Sequence, residues 1–258
     1  MPNYYAKWLG IYSIYLCGLT LAYMSVPIIS LRARKLVGLG LYNTEGIHYQ
    51  TSPEELIQES LRSGEGKLSD TGALVINTGE FTGRSPKDKF IVCDEITART
   101  VDWNEFNHRI DPANYSIIYK KMMEHLNHVP DIWIRDCYAC ADNRYRLNIR
   151  VVTEKPWLSL FAYNMFLRPA REELENFKPE WNVLVAPELK LNAEECGTRQ
   201  HNAVVVSFIH KTILIAGTGY TGEMKKSIFS VLNFSKSIPW VLSKLSLAKV
   251  NLHLWNRH

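Results

Sequence analysis

All 26 acidic residues of this 258-residue chain lie between Glu45 and Glu223. Four cations precede that segment and six follow it, so 20 of the 30 lysine and arginine residues lie inside it and its net charge is −6. A nucleic-acid-binding protein is expected to cluster lysine and arginine on a folded face, and the acidic segment offers no such cluster. We therefore expect the folded part of the chain to lie in this segment and to bind no nucleic acid.

The composition is that of a globular protein. Hydrophobic residues make up 46% of the chain and charged residues 22%, which excludes a disordered or collagen-like chain. Five cysteines are too few and too irregularly spaced for a disulfide framework, so we predict reduced thiols in the cytoplasm. Cys137 and Cys140 suit either two structural thiols or a metal or redox pair, although no second pair completes the four ligands of zinc.

Residues 8–31 carry no charge and are dominated by apolar and aromatic side chains. A helix of 24 such residues is long enough to cross a bilayer. Arg32, Arg34 and Lys35 would then keep the rest of the chain on the cytoplasmic side. Three interpretations stay open: a membrane anchor, a core helix interrupted at Pro27, and an apolar extension foreign to the fold.

Local patterns in the middle of the chain predict both helices and strands. Ser52, Pro53 and Glu55 have the order of an N-cap, an N1 proline and a capping-box glutamate, which predicts a helix start. Hydrophobic patterning predicts strands at 73–77, 89–93, 131–136, 145–153, 182–186, 203–208 and 212–216, and helices at 157–167 and 170–177. Because the helices are few and do not alternate strictly with the strands, we predict an α/β fold of the mixed α+β kind, with a large mixed sheet and flanking helices.

The first segment with recognisable chemistry follows the predicted strand at 73–77. Residues 79–90 read Gly-Glu-Phe-Thr-Gly-Arg-Ser-Pro-Lys-Asp-Lys-Phe. The glycines permit a tight turn, from which the planar guanidinium of Arg84 can hold a carboxylate through two parallel hydrogen bonds. A solvated hairpin turn with mixed charges is the alternative.

The second segment follows the predicted strand at 212–216. Residues 217–226 read Gly-Thr-Gly-Tyr-Thr-Gly-Glu-Met-Lys-Lys and open a predicted helix that continues to Leu232. A strand, a glycine-rich turn and a helix N-terminus favour an anion site. It is not a Walker A loop, because Glu223 stands where that motif needs lysine. Lys225 and Lys226 oppose the helix dipole, which indicates either a functional role or a solvated charged face.

Together the two segments resemble ATP-dependent phosphoenolpyruvate carboxykinase. Further resemblance to that family lies in residues 36–56, 135–142, 145–150, 164–169, 197–202 and 220–233. It covers about residues 36–234, and the combination of motifs is specific. The resemblance implies the fold of that family's N-terminal domain for this part of the chain, flanked by an apolar extension at residues 1–35 and a non-homologous basic tail at residues 235–258.

The resemblance also implies an activity. The family is a lyase that converts oxaloacetate and ATP to phosphoenolpyruvate, ADP and carbon dioxide in gluconeogenesis, with Mg²⁺ and Mn²⁺ as metal cofactors. By resemblance, Arg84 holds the substrate carboxylate, and Tyr220 contacts substrate or released carbon dioxide. Lys226 is a manganese ligand that also approaches the transferred phosphoryl group of ATP, and Arg84 and Lys226 are the implied catalytic residues. Such groups would stabilise the enolate that decarboxylation develops.

The sequence departs from the family after Phe234. The family's metal-ligand histidine, phosphate loop and further arginines have no counterpart there, so we expect a truncated, catalytically incompetent chain with an exposed apolar face. Two alternatives remain: a non-catalytic dicarboxylate- or anion-binding module built on Arg84, Tyr220 and Lys226, and a protein tethered to a membrane through residues 8–31.

Overall fold

The computed structural model of the protein describes residues 39–42 and 46–243, with side chains up to residue 235. Contacts divide the chain into two units, residues 1–44 and 45–258. The described part of the first unit contains a turn at residues 39 and 40.

The described part of the second unit contains ten strands. In chain order they are β1 (Ile47–Tyr49), β2 (Gly66–Leu68), β3 (Leu74–Ile76), β4 (Lys89–Val92), β5 (His108–Ile110), β6 (Ile132–Ala139), β7 (Leu147–Thr153), β8 (Trp181–Ala186), β9 (Ala203–Ser207) and β10 (Thr212–Ala216). Eight of them form one sheet in the order β1-β6-β7-β8-β10-β9-β4-β5, and β2 pairs with β3 in a separate antiparallel sheet. The large sheet has both parallel and antiparallel pairs, which confirms the predicted mixed sheet.

The strand directions place two loops at the same edge of the sheet. β10 runs antiparallel to β9, and β9 runs parallel to β4. Lys89, the first residue of β4, lies opposite Val204, and Ala216, the last residue of β10, lies opposite the adjacent Ala203. The segment that precedes β4 and the segment that follows β10 therefore meet there.

Seven helices accompany the sheets in the described residues. They are α1 (Pro53–Arg62), α2 (Thr97–Thr100), α3 (Pro112–His128), α4 (Pro156–Met165), α5 (Arg171–Glu175), α6 (Ala193–Cys196) and α7 (Gly222–Ser243). α1 begins with the predicted capping box: the Ser52 hydroxyl accepts the Glu55 N–H, and the Glu55 carboxylate accepts the Ser52 N–H. α7 continues past residue 234, where the sequence predicts the domain to end. The domain bounds at residues 36 and 234 stay a prediction.

Helices cover both faces of the large sheet. On one face, α4 and α7 share a hydrophobic cluster with alternate strand residues such as Val183, Val185, Ile213 and Ile215. The intervening residues Leu184 and Leu214 are also fully buried, and α3 contacts β8 and β10. Burial on both faces explains why these central strands are nearly continuous apolar runs.

The described structure also differs from the predictions. The strand predicted at 73–77 belongs to the small sheet, and the prediction missed the 17-residue helix α3 together with the short strands β1, β2 and β5. No helix within residues 39–42 and 46–243 is both long and apolar enough to cross a bilayer. The candidate span at residues 8–31 lies outside the described residues.

Candidate active site

The turn that carries Arg84 is fixed at its C-terminal end by a buried carboxylate. The turn closes with a 3-10 helix at Pro86–Asp88, directly before β4. Asp88 is fully buried and accepts hydrogen bonds from Arg199 at 2.8 and 2.7 Å and from Gln200 at 2.8 Å. These charge-assisted bonds attach the turn to the loop before β9, while Arg84 itself is exposed.

Two glycines let the segment after β10 approach this turn closely. Gly217 has a φ of +69°, and a Cβ there would lie 2.7 Å from the carbonyl oxygen of His201. A Cβ on Gly219 would lie 2.7 Å from the carbonyl oxygen of Thr78 and 3.1 Å from the Trp157 ring. The predicted glycine-rich segment is therefore needed for close backbone packing, which brings the start of α7 beside the loop that leads to Arg84.

Arg84 and Lys226 line the same cavity of about 60 Å³. That volume corresponds to a few water molecules, so it suits a carboxylate group or another small anion. The complete lining consists of Arg84, Ser85, Pro86, Lys89, Ile91, Phe106, Asn107, Glu223, Lys226 and Ser230. The structure thus brings together the two cations that the resemblance singles out.

The charges of the cavity are predominantly positive. Lys89 contributes a third cation, and its Nζ donates a hydrogen bond to the Ser230 hydroxyl at 3.1 Å. Burial lowers the pKa of Lys89 to about 8; Lys226 and Arg84 act in the same direction, and the Glu223 carboxylate opposes them. Three cations face one carboxylate, so the cavity favours an anion.

Tyr220 occupies a different position from the other two predicted site residues. It is half-buried, and its carbonyl oxygen accepts the N–H of Glu223 at 3.2 Å. Although Tyr220 is within the described part of the chain, it does not line the cavity shared by Arg84 and Lys226. The structure therefore brings Tyr220 to the start of the same helix without joining it to that cavity.

Sequence reasoning missed Lys89 and gave Glu223 no role. The available signal was Lys89 itself, which opens the apolar strand Lys-Phe-Ile-Val three residues after Pro86. Glu223 stood out only as the residue that breaks the Walker A pattern. Their importance depends on the approach of β4 to α7, which no local pattern shows.

The described residues alone do not form a site for the implied Mg²⁺ or Mn²⁺. Within residues 39–42 and 46–243, no group of three or more His, Cys, Asp and Glu side chains is placed to hold a metal ion. The candidate ligand Lys226 shares its cavity with Arg84 and Lys89, whose charges repel a divalent cation. The described lining of this cavity therefore suits an anion better than a divalent cation.

Comparison with known proteins identifies the family. A family model described as phosphoenolpyruvate carboxykinase matches residues 45–251. The chain belongs to the phosphoenolpyruvate carboxykinase family. This confirms the resemblance inferred from the segments around Arg84 and Tyr220, and the mixed sheet agrees with membership of the carboxykinase family.

Curated carboxykinases give the extent of the similarity. The chain is 55% identical over 188 residues to the phosphoenolpyruvate carboxykinase (ATP) of Christiangramia forsetii, covering 73% of the chain and 35% of that relative. Identity to the same-named protein of Flavobacterium johnsoniae is 50% over 196 residues, covering 76% of the chain and 36% of the relative. Identity to the same-named protein of Rubrobacter xylanophilus is 43%, covering 80% of the chain and 39% of that relative. The chain thus spans little more than a third of the length of these carboxykinases.

Proposed function

We propose that Arg84, Tyr220 and Lys226 belong to the active site of an ATP-dependent phosphoenolpyruvate carboxykinase. The proposed reaction converts oxaloacetate and ATP to phosphoenolpyruvate, ADP and carbon dioxide, as part of gluconeogenesis, with a divalent metal ion as cofactor, whose site the described residues alone do not form. The observation that carries the proposal is the shared cavity, which Arg84 and Lys226 line although they lie 142 positions apart in the sequence. A positive cavity of this size suits a small carboxylate substrate.

The chemistry of the cavity fits the charge changes in this reaction. A guanidinium at Arg84 binds one substrate carboxylate through parallel hydrogen bonds and orients it. When carbon dioxide leaves, its bonding electrons remain on the substrate as an enolate, and the nearby Lys226 and Lys89 stabilise that negative charge. The enolate oxygen then accepts the phosphoryl group of ATP. Tyr220 is proposed to contact the substrate or the released carbon dioxide.

Calorimetric titration with oxalate tests the anion site directly. The protein should give heat of binding at millimolar oxalate, and Arg84→Gln should weaken affinity at least about tenfold, because a charge-assisted bidentate contact is lost. Arg144→Gln is the control, since Arg144 is a surface arginine paired with Asp142. Equal affinities for Arg84→Gln and the control would refute the proposed role of Arg84.

A non-catalytic dicarboxylate-binding module is the second candidate function. It is favoured by the three cations of the cavity, which can hold a dianion without further groups. A coupled assay with oxaloacetate, ATP and Mn²⁺ separates the two functions. Turnover on the order of 1–1000 per second indicates the carboxykinase and would contradict the expected catalytic incompetence of this chain, whereas oxalate binding without turnover agrees with a chain that only binds the dicarboxylate.

We propose a cytoplasmic location for the protein. Cys93, Cys137, Cys140 and Cys196 are free thiols, which suits a reducing compartment. Fractionation of cells that express the chain tests this, because a membrane tether at residues 8–31 would place the protein in the membrane fraction.

A further inference from the structure

Glu223 is a buried carboxylate that lines the cavity shared by Arg84 and Lys226. It lies in the first turn of α7, and only 4% of its surface is exposed. Its backbone N–H donates to the carbonyl oxygen of Tyr220 at 3.2 Å, and its Oε1 accepts the backbone N–H of Ser85 at 3.3 Å. Glu223 therefore links two segments that are 138 residues apart in the sequence.

Burial of this carboxylate is not explained by the helix dipole alone. Removing a carboxylate from water is costly unless it is paired or hydrogen-bonded, and an exposed glutamate would also interact favourably with the helix N-terminus. Two partners across the cavity offset the cost of burying Glu223: its charge interacts with Lys89, and the Ser85 N–H donates a hydrogen bond to it. Both partners come from the segment that carries Arg84.

We propose that Glu223 is a positioning residue that holds the Arg84 turn against the first turn of α7. Ser85, which follows Arg84 directly, is tied to Glu223, and Asp88 is tied to Arg199 and Gln200. The turn is therefore fixed at two points, and Lys226 lies one helical turn after Glu223. The inference rests on the proposed function for the meaning of Arg84 and deepens it by explaining how Arg84 and Lys226 come to face one cavity.

Amide hydrogen exchange at Ser85 tests the tether without any ligand. In Glu223→Ala the acceptor is lost, so the Ser85 amide should exchange about tenfold faster than in the unchanged protein. Glu223→Gln keeps an oxygen at the same position and should retain most of the protection. Glu55→Ala is the matched control, because Glu55 also lies in a first helical turn and accepts a backbone N–H, that of Ser52 at 3.1 Å. It should leave Ser85 exchange unchanged.

A third variant of Glu223 keeps the negative charge but has a side chain that is one methylene shorter. Glu223→Asp should expose the Ser85 amide as Glu223→Ala does, and it replaces the alanine variant if that variant does not fold. Unchanged Ser85 exchange in both Glu223→Asp and Glu223→Ala would overturn the tether. So would equal loss of protection in Glu223→Gln and Glu223→Ala, because the charge and not the acceptor would then be responsible.

Oxalate affinity distinguishes positioning from simple electrostatics by the sign of the change. If Glu223 acts only as a negative charge, Glu223→Ala should bind oxalate more tightly. If it positions Arg84, Glu223→Ala and Glu223→Asp should bind severalfold more weakly, and Glu223→Gln should bind at least as tightly as the unchanged protein. Tighter binding by Glu223→Ala would refute positioning. Absence of oxalate binding by every form would refute the proposed function, while Ser85 exchange would still decide the tether.

Discussion

A histidine and a buried glutamate connect α3 to the carboxyl end of β7. His125 Nε2 lies 2.6 Å from Oε2 of Glu154, and Oε1 of the same carboxylate accepts the N–H of Glu188 at 2.8 Å. The hydrogen bond to Glu154 raises the pKa of His125; burial opposes the shift, and the charges of Glu154 and Glu188 reinforce it. The folded state therefore favours protonation of His125 more than the unfolded chain does.

The raised pKa predicts a pH-dependent contribution to stability. A histidine whose pKa is higher in the folded state stabilises the fold fully below its unfolded pKa of about 6.5, and the contribution is lost as pH rises through the folded pKa. We expect His125→Gln to lower the free energy of unfolding by about 1 kcal/mol more at pH 5.5 than at pH 8.5. Urea unfolding at both pH values measures this.

His128→Gln is the control for this prediction. His128 is an exposed histidine of the same helix, and its ring contacts the backbone carbonyl of Glu124 instead of a carboxylate. Its substitution removes no carboxylate contact, so a pH dependence as large as that of His125→Gln would show that the Glu154 contact is not responsible. The same loss of stability at pH 5.5 and pH 8.5 for His125→Gln would contradict the prediction.

At the residue level, the sequence predicted those parts of the candidate site that belong to recognisable motifs. Arg84 and Lys226 came from two such motifs, and the structure places both at one cavity. Lys89 and Glu223 were not predicted as site residues because their surroundings come from distant segments. A lysine at the start of a strand and a glutamate at the start of a helix are ordinary surface features until β4 and α7 come together.

The capping box of α1 is the clearest prediction at the level of elements. Ser52, Pro53 and Glu55 occupy the positions that their order in the sequence predicts. We expect Ser52→Ala to lower the free energy of unfolding by about 1 kcal/mol, because the Glu55 N–H loses its acceptor. Ser116→Ala is the control, since Ser116 is an exposed serine in α3 whose hydroxyl bonds a carbonyl and caps no N–H. Equal effects in urea unfolding would contradict the prediction.

The apolar strands in the middle of the sheet were predictable from the sequence. The short edge strands and the helix α3 were not. β8, β9 and β10 lie in the middle of the sheet, so their hydrophobic runs identify them directly. β1 and β5 have three residues each and lie at the sheet edges, where pairing with a neighbouring strand determines their conformation. In α3 the buried residues Tyr115, Ile118, Met122 and Leu126 recur at helical spacing, but lysine, glutamate and histidine between them obscure the pattern.

At the level of the whole molecule, the strand order of the sheet assembles the candidate site. The loop before β4 and the loop after β10 meet because β9 lies between these strands, antiparallel to one and parallel to the other. Both segments were recognised in the sequence. Their meeting depends on strand order, which is set by packing across the whole sheet and is not encoded in either motif.

An apolar groove beside α7 should promote association of the protein with itself. Phe229, Leu167 and Met165 line the groove, and each has more than a third of its surface exposed. Grouped apolar side chains of this kind favour contact with other apolar surfaces.

Substitution of one groove residue tests this expectation. Phe229→Lys should reduce the associated fraction severalfold in size-exclusion chromatography with light scattering, without a large loss in the free energy of unfolding, because Phe229 is 46% exposed. Ile209→Lys is the matched control, since Ile209 is 43% exposed but lies in the turn between β9 and β10, outside the groove lining. It should leave association unchanged. A monomeric elution of the unchanged protein at all concentrations, or an equal effect of the two substitutions, would show that the groove does not drive association.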